Sequence, residues 1–406
     1  MRGLFPALNV WAAWLVLMAG ANLATPLYAV YAKTFGFSSL VLTTIFATYA
    51  VVLVPALILF GRLSDRFGRR PVILAGLGVA CGGLLLFAFA RGPAWLYGAR
   101  AVQGLAVGMI SGAATAALVE LDPRHDRRRA ALFAGLAQAG GSAAGPLLAG
   151  LLAAWAPDRL RLSFFVGLGL TAAAAAWTLA LPAAGEVRGE SWRAQWPRVP
   201  KRIRAPFIRV SLAAATVWAV VALYLSIIPS YATDLLGTHN LALLAAIAAV
   251  ALVSSFVTQI VSQRRRSSPR ASQAAGLAIL ALGLVALVLA SPLHSLVALL
   301  AGSIVAGAGH GITFLNAQQE LNEIAPEERR GEVTAAFIAC IYFLVSASVI
   351  GAGLLDLRFS LSSSVMAVSV ALFGCAAAAS AWSGGRHAGH IPPRLSLVSR
   401  RRAAPN

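Results

Sequence analysis

Twelve runs of apolar residues, each broken by only an occasional polar side chain, follow one another along the chain. They occupy residues 8–32, 38–60, 71–90, 93–119, 130–154 and 161–182, then 207–233, 240–262, 272–291, 294–319, 332–355 and 359–382. Each comes close to or exceeds the roughly 20 residues that an α-helix needs to cross the hydrocarbon core of a bilayer. The polar stretches between them are short. The pattern predicts an all-α integral membrane protein with twelve transmembrane helices in two sets of six. The expected division is a first bundle over 1–182, a linker over 183–206, a second bundle over 207–383 and a basic tail over 384–406.

Composition agrees with the pattern. Hydrophobic residues make up 59% of the 406 and charged residues 12%, with a mean hydropathy of +0.78. A soluble chain of this length could not hide that much apolar surface. The net charge of +19 would point to nucleic acid in a soluble protein, but here its placement is what informs, and no nucleic acid partner is expected. If the N-terminus is cytoplasmic, the segments on that side hold 27 of the 33 Lys and Arg residues, the opposite side holds five, and Arg100 lies inside a span. This bias predicts a multi-pass protein with both termini in the cytoplasm. The basic face is expected to contact anionic lipid headgroups. Trp192 and Trp196 of the linker are expected at the lipid interface.

Cys81, Cys340 and Cys375 all fall within apolar runs and read as small buried hydrophobes, with no disulfide framework and no metal spacing. Ala19-Gly20-Ala21 could imitate a signal-peptide cleavage site, but the apolar run continues past it, so a retained first span is expected. Arginine far outnumbers lysine and alanine is abundant, which points to a GC-rich bacterial genome and hence a bacterial inner membrane.

A charged run between the second and third spans reads Gly61-Arg62-Leu63-Ser64-Asp65-Arg66-Phe67-Gly68-Arg69-Arg70. Glycines allow a tight turn between helix ends, Asp65 can accept from a helix N-terminus or an arginine, and the arginines can hold headgroups. This decapeptide resembles the loop 2-3 signature of the major facilitator superfamily, secondary transporters built from two pseudo-symmetric six-helix bundles. The resemblance makes Gly61, Asp65, Arg66, Gly68 and Arg69 a conformational switch loop, with Asp65 docking near Gly331 to Thr334 when the inner side closes.

Two further motifs are similar to patterns of that superfamily. Arg100, Gln103 and Gly104 match its RxxQG signature in the fourth span, and an arginine inside a bilayer is expected to turn into the bundle or a wet cavity. The resemblance gives Arg100 a role in proton relay or in shaping the cavity. Gly141, Gly145, Pro146 and Gly150 follow a GxxxGPxxGG pattern associated with antiporters, with Ala149 in place of one glycine. Small residues four apart let helices approach closely, and Pro146 removes a backbone donor. The sequence also shows a weak internal repeat at an offset of 326 minus 123, or 203 residues, which pairs Pro123 with Pro326, Arg127 with Arg330, Gly104 with Gly307, Gly108 with Gly311 and Arg62 with Arg265.

In this superfamily the first, fourth, seventh and tenth helices line the substrate cavity. The resemblance therefore nominates Asn22 and Thr25, Arg100 and Gln103, Trp218 and Tyr224, and His310, Thr313 and Asn316. No span carries a carboxylate near its middle; Asp234 and Asp356 lie at outer ends, and Glu120, Glu320 and Glu323 at inner ends. Asn22 stands in the region where several drug:proton antiporters carry an acid. His310 is thus the favoured proton-coupling group, since an imidazole titrates near pH 6.5.

The leading expectation is proton-coupled efflux of a small amphipathic organic molecule by alternating access. The alternative is an importer or facilitator for a sugar, organic acid or other metabolite, in which Arg100 pairs with a substrate carboxylate. A non-transporting receptor on the same fold would bind ligand without flux. No nucleophile-base pair, metal cluster or phosphate loop points to an enzyme. No cofactor is expected beyond the proton gradient as energy source, and the resemblance makes a monomer the default.

Overall fold

The computed structural model describes residues 5–61, 63–122, 126–155, 158, 160–181, 198–264, 268–326 and 329–384, with the backbone alone at 127 and 330. Nearly all of them are helical, and no strand occurs among the described residues. The first half comprises α1 (Phe5–Asn22), α2 (Tyr28–Phe35), α3 (Ser39–Phe60), the short α4 (Leu63–Phe67), α5 (Arg69–Ala88), α6 (Pro93–Glu120), α7 (Arg127–Trp155) and α8 (Leu162–Thr178). The second comprises α9 (Arg204–Ser226), α10 (Ile228–Leu236), α11 (Leu241–Gln263), α12 (Pro269–Ala290), α13 (Leu296–Ile324), α14 (Arg330–Asp356) and α15 (Leu361–Gly384).

Among the described residues eleven helical stretches are long and apolar enough to cross a membrane, and α8, at 17 residues, is shorter than the sixth run predicts. The linker over 183–206 and the tail over 384–406 lie almost wholly outside the described residues, apart from residues 198–206 and Gly384.

The first and seventh spans are not single rods. A 3₁₀ turn at Thr25–Leu27 separates α1 from α2, and α9 gives way to α10 at Ile227. Each break is followed by a proline, Pro26 and Pro229, and 229 minus 26 is again 203. Gly36 and Gly237 cap α2 and α10 in left-handed conformations at φ 67° and 62°. Packing follows the same repeat. Gly104 of α6 abuts the backbone of Tyr49 and Leu53 in α3, and Gly307 of α13 abuts the backbone of Ala251 in α11. Of the other repeat pairs, Pro123, Arg62 and Arg265 lie outside the described residues.

The face bearing both ends of the described chain is called the terminal face, and the opposite one the far face. Most of the contact between the halves is made by α3 with α14 and α7 with α11, with smaller contacts of α7 with α13 and α3 with α9, and Arg128 of α7 reaches Glu323 of α13 at 3.5 Å on the terminal side. The buried apolar residues divide unevenly. One cluster runs continuously from the far-face half of the first bundle (Leu27, Tyr31, Phe46, Phe87) into the second bundle (Val217, Leu252, Phe314). A separate cluster, centred on Trp14, Leu57, Ile73 and Ile110, fills the terminal half of the first bundle. The halves therefore share a core across the far side, which closes that face, while toward the terminal side the first bundle keeps a cluster of its own, against which Ile338 and Tyr342 of α14 pack. Outward positions such as Val51, Leu282, Val297 and Phe343 are 66–77% exposed, as lipid-facing side chains would be.

The glycine-proline motif of α7 divides its work between two neighbours. Cβ atoms at Gly141 and Gly145 would collide with α1 at Leu15, Met18 and Ala19, while one at Gly150 would strike Leu241 and Ala245 of α11 across the seam. Pro146 is buried and α7 continues through it. Gly145→Leu should push α7 off α1. Overpacking of this kind typically costs about 1–3 kcal/mol, and more when backbone is struck. A lowered thermal midpoint in detergent, with loss of the monodisperse fraction, is the expected result.

The cysteine expectation needs correction. Cys340 is exposed on the outside of α14, and Cys81 and Cys375 are half-buried. An apolar run does not reveal which of its faces meets lipid, since lipid and core are equally apolar.

Candidate functional site

A cavity of about 50 Å³ lies midway through the bundle at the seam of the two halves. Its wall includes Asn22, Phe46, Tyr49, Arg100, Gln138 and Ser142 from the first half and Trp218, Leu225, Tyr342 and Val345 from the second. That volume holds one or two waters.

Arg100 is the most constrained group there. Its side chain is 3% exposed. Nη1 donates to the Ala21 carbonyl at 2.9 Å and to Gln103 Oε1 at 3.1 Å, and Nη2 reaches the Phe46 carbonyl at 3.5 Å. The guanidinium carbon lies 4.9 Å from the Phe46 ring centre and 4.6 Å from that of Tyr49. Gln103 in turn donates to the Gly20 carbonyl at 3.1 Å. The break near Asn22 is thus tied to α6 by backbone carbonyls. Nε has no hydrogen-bond partner, and no carboxylate pairs with Arg100 among the described residues.

Across from Arg100, Asn22 Nδ2 donates to the Met18 carbonyl at 2.9 Å and to Ser142 Oγ at 3.2 Å. Pro146 supplies no N–H to the Ser142 carbonyl, so that acceptor is left free by the helix ladder. The hydroxyls of Tyr49 and Tyr342 stand 3.5 Å apart, one from each half.

Of the nine predicted cavity or relay positions, Asn22, Arg100 and Trp218 line the cavity. Gln103 instead faces a smaller void of about 10 Å³ inside the first bundle. Thr25 and Tyr224 are packed within their bundles. Thr313 abuts Gly276 of α12, and Asn316 donates to Ser262 Oγ at 3.3 Å and to the Ile312 carbonyl at 2.7 Å. The common face drawn through His310, Thr313 and Asn316 therefore points into the second bundle, toward α11 and α12. His310 sits one ring behind the cavity wall. Trp218 covers it edge-on at 4.9 Å, its Nδ1 shares a 2.8 Å hydrogen bond with Ser255 Oγ, and Nε2 has no partner among the described residues. Gln259 Nε2 donates to the same Ser255 hydroxyl at 3.2 Å.

The charged loop is pinned to its own bundle. Arg69 takes Glu120 in a two-pronged contact at 2.7 and 3.2 Å and reaches Asp65 at 2.6 Å and Ser64 at 2.5 Å. Gly68, at φ 87°, makes the turn between α4 and α5 in a conformation that favours glycine. Gly61 ends α3 with its carbonyl against Gly112 of α6, and Arg66 lies over Phe67 at 5.3 Å. Asp65 thus bonds Arg69 rather than the start of α14.

Sequence reasoning overlooked a second polar cluster. Arg209, 3% exposed, forms an ion pair with Glu320, and Gln273 bridges them, accepting from Arg209 at 3.3 Å and donating to Glu320 at 2.6 Å. The position of Arg209 inside the seventh apolar run, opposite a glutamate closing the tenth, was the available signal.

Comparison with known proteins places this geometry in context. The family model of the Major Facilitator Superfamily matches residues 10–351. A stretch of 112 residues is 36% identical to the tetracycline resistance protein, class H, of Pasteurella multocida, covering 28% of this chain and 27% of that protein. Another of 113 residues is 35% identical to an uncharacterized MFS-type transporter of Mycobacterium tuberculosis, covering 27% and 19%. The chain thus aligns with about a quarter or less of the length of these curated relatives. The fold matches the crystal structure of the human organic anion transporter MFSD10 (TETRAN) with a TM-score of 0.69 at 16% identity, over 94% of this chain and 100% of that one. With its paired six-helix halves, its seam cavity and a family match across most of its length, the chain belongs to the major facilitator superfamily.

Proposed function

We propose that this transporter exports a small amphipathic organic molecule in exchange for protons. The observation that carries the reading is the seam cavity, walled by aromatic rings from both halves and by the amides of Asn22 and Gln138, and closed on the far side. A site shared by two rigid halves changes the side it faces when they rock. The antiporter-like packing of α7 and the partial likeness to a tetracycline resistance protein support the outward direction. Charge bias supports a cytoplasmic terminal face with anionic headgroups against the basic loops, the arginine- and alanine-rich composition supports a bacterial inner membrane, and the family likeness supports a monomer as the working unit.

In this reading His310 takes up the coupling proton once parting of the halves moves Trp218 aside. Asp65 leaves Arg69 for the start of α14 when the terminal face closes, a contact worth about 0.3–1 kcal/mol, enough to bias a balanced equilibrium. Proteoliposomes with an acidic lumen and trapped pyranine test the proposal. A drug or metabolite added outside should release luminal protons, with no response in empty liposomes. His310→Gln should reduce that release to the empty-liposome level; full proton-coupled flux in this variant would remove His310 from the mechanism.

A further inference from the structure

We infer that the seam cavity selects an organic anion: a carboxylate-bearing amphipath whose head meets Arg100 and whose apolar body lies against Phe46, Trp218 and Tyr342. The inference deepens the transport reading and rests on it. The polar inventory of the cavity wall is one-sided. Arg100 is permanently cationic and donor-only, and Trp218 Nε1 is donor-only, buried and without a partner. Asn22, Gln138, Ser142 and the two tyrosines can each donate, and no acidic side chain lines the cavity.

The charge is also uncompensated in a way that carbonyls do not repair. Three acceptors and two aromatic faces hold the guanidinium in place, yet all are neutral, and Nε stays free. The described carboxylates all stand at helix ends or in the loops between them instead, among them Asp65, Glu120 and Glu320 on the terminal side and Asp158, Asp234 and Asp356 on the far side. In a low-dielectric site a cationic ligand would meet repulsion with no counter-anion, and a neutral one would leave the guanidinium unpaired. A monoanion resolves both. Substrate pockets usually span about 300–1,000 Å³, so the anion enters when the halves part and Arg100 remains fixed by its carbonyl contacts.

The test compares three probes with one naphthalene body: radiolabelled 1-naphthoate, 1-naphthamide and 1-naphthylmethylammonium, bound to the full chain in lipid nanodiscs. Naphthoate should bind at least about tenfold tighter than either of the others, the scale of one charge-assisted contact. Arg100→Gln should bring the naphthoate and naphthamide affinities together, and Arg100→Lys should restore the preference for naphthoate. Because the comparison among probes is made on the unaltered protein, a misfolded variant does not blunt it. Equal retention of the three probes, preference for the ammonium, or a carboxylate preference that survives Arg100→Gln overturns the inference. Carboxylate-selective binding with no flux in proteoliposomes would keep the anion site and sink the transport reading instead.

Discussion

Glu320→Ala should be among the most damaging single substitutions in the second half. Arg209 lies inside the bundle and its contacts converge from three other helices: Glu320 on α13, Gln273 on α12 and Ser383 on α15, the last at 3.4 Å. Arg270 of α12 ties the same end of α15 by donating to the Ser383 carbonyl at 3.1 Å. Removing the carboxylate leaves a guanidinium that is 3% exposed without its counter-charge. Breaking a buried pair from one side costs about 3–5 kcal/mol, whereas replacing both partners with apolar residues of similar volume is often neutral. Glu320→Ala should therefore depress the thermal midpoint sharply, and the double variant Arg209→Met with Glu320→Leu should recover most of the loss. Equal destabilisation by the single and double variants would mean that packing, not charge, holds this corner.

What could be read in the sequence and what could not divide along physical lines. The spans were legible because a bilayer demands about 20 apolar residues per crossing and the chain supplies them in discrete runs. The charged loop, Arg100 and the α7 glycines were legible because charge and small-residue spacing are costly or specific within a membrane. The rotation of each helix about its axis was not. His310, Thr313 and Asn316 share a spacing, but the sequence does not say whether that stripe meets the cavity or a neighbouring helix, and it meets α11 and α12. Cys340 failed for the related reason that lipid and core leave the same apolar signature. Ser142 and Gln138 escaped notice because α7 was read for its packing glycines, although its polar positions also reach the cavity.

The central claim is that the cavity opens alternately to the two sides and that the far-face seam is the gate. Thr43 of α3 and Gly353 of α14 sit against each other in that seam; a Cβ built on Gly353 would lie 3.1 Å from the Thr43 Cβ. Disulfides want about 3.5–4.5 Å between Cβ atoms, so a cysteine pair there needs only a slight backbone adjustment. In a background with Cys81, Cys340 and Cys375 replaced by alanine, Thr43→Cys with Gly353→Cys can be locked by oxidation, and Asn22→Cys then reports on the cavity. The measurement is modification of the Asn22→Cys thiol by a membrane-impermeant methanethiosulfonate added from the far side. Reaction in the reduced protein, its loss on oxidation and its return with dithiothreitol are the predicted results. Equal modification of the locked and reduced forms, or none in either, would contradict alternating access through this seam.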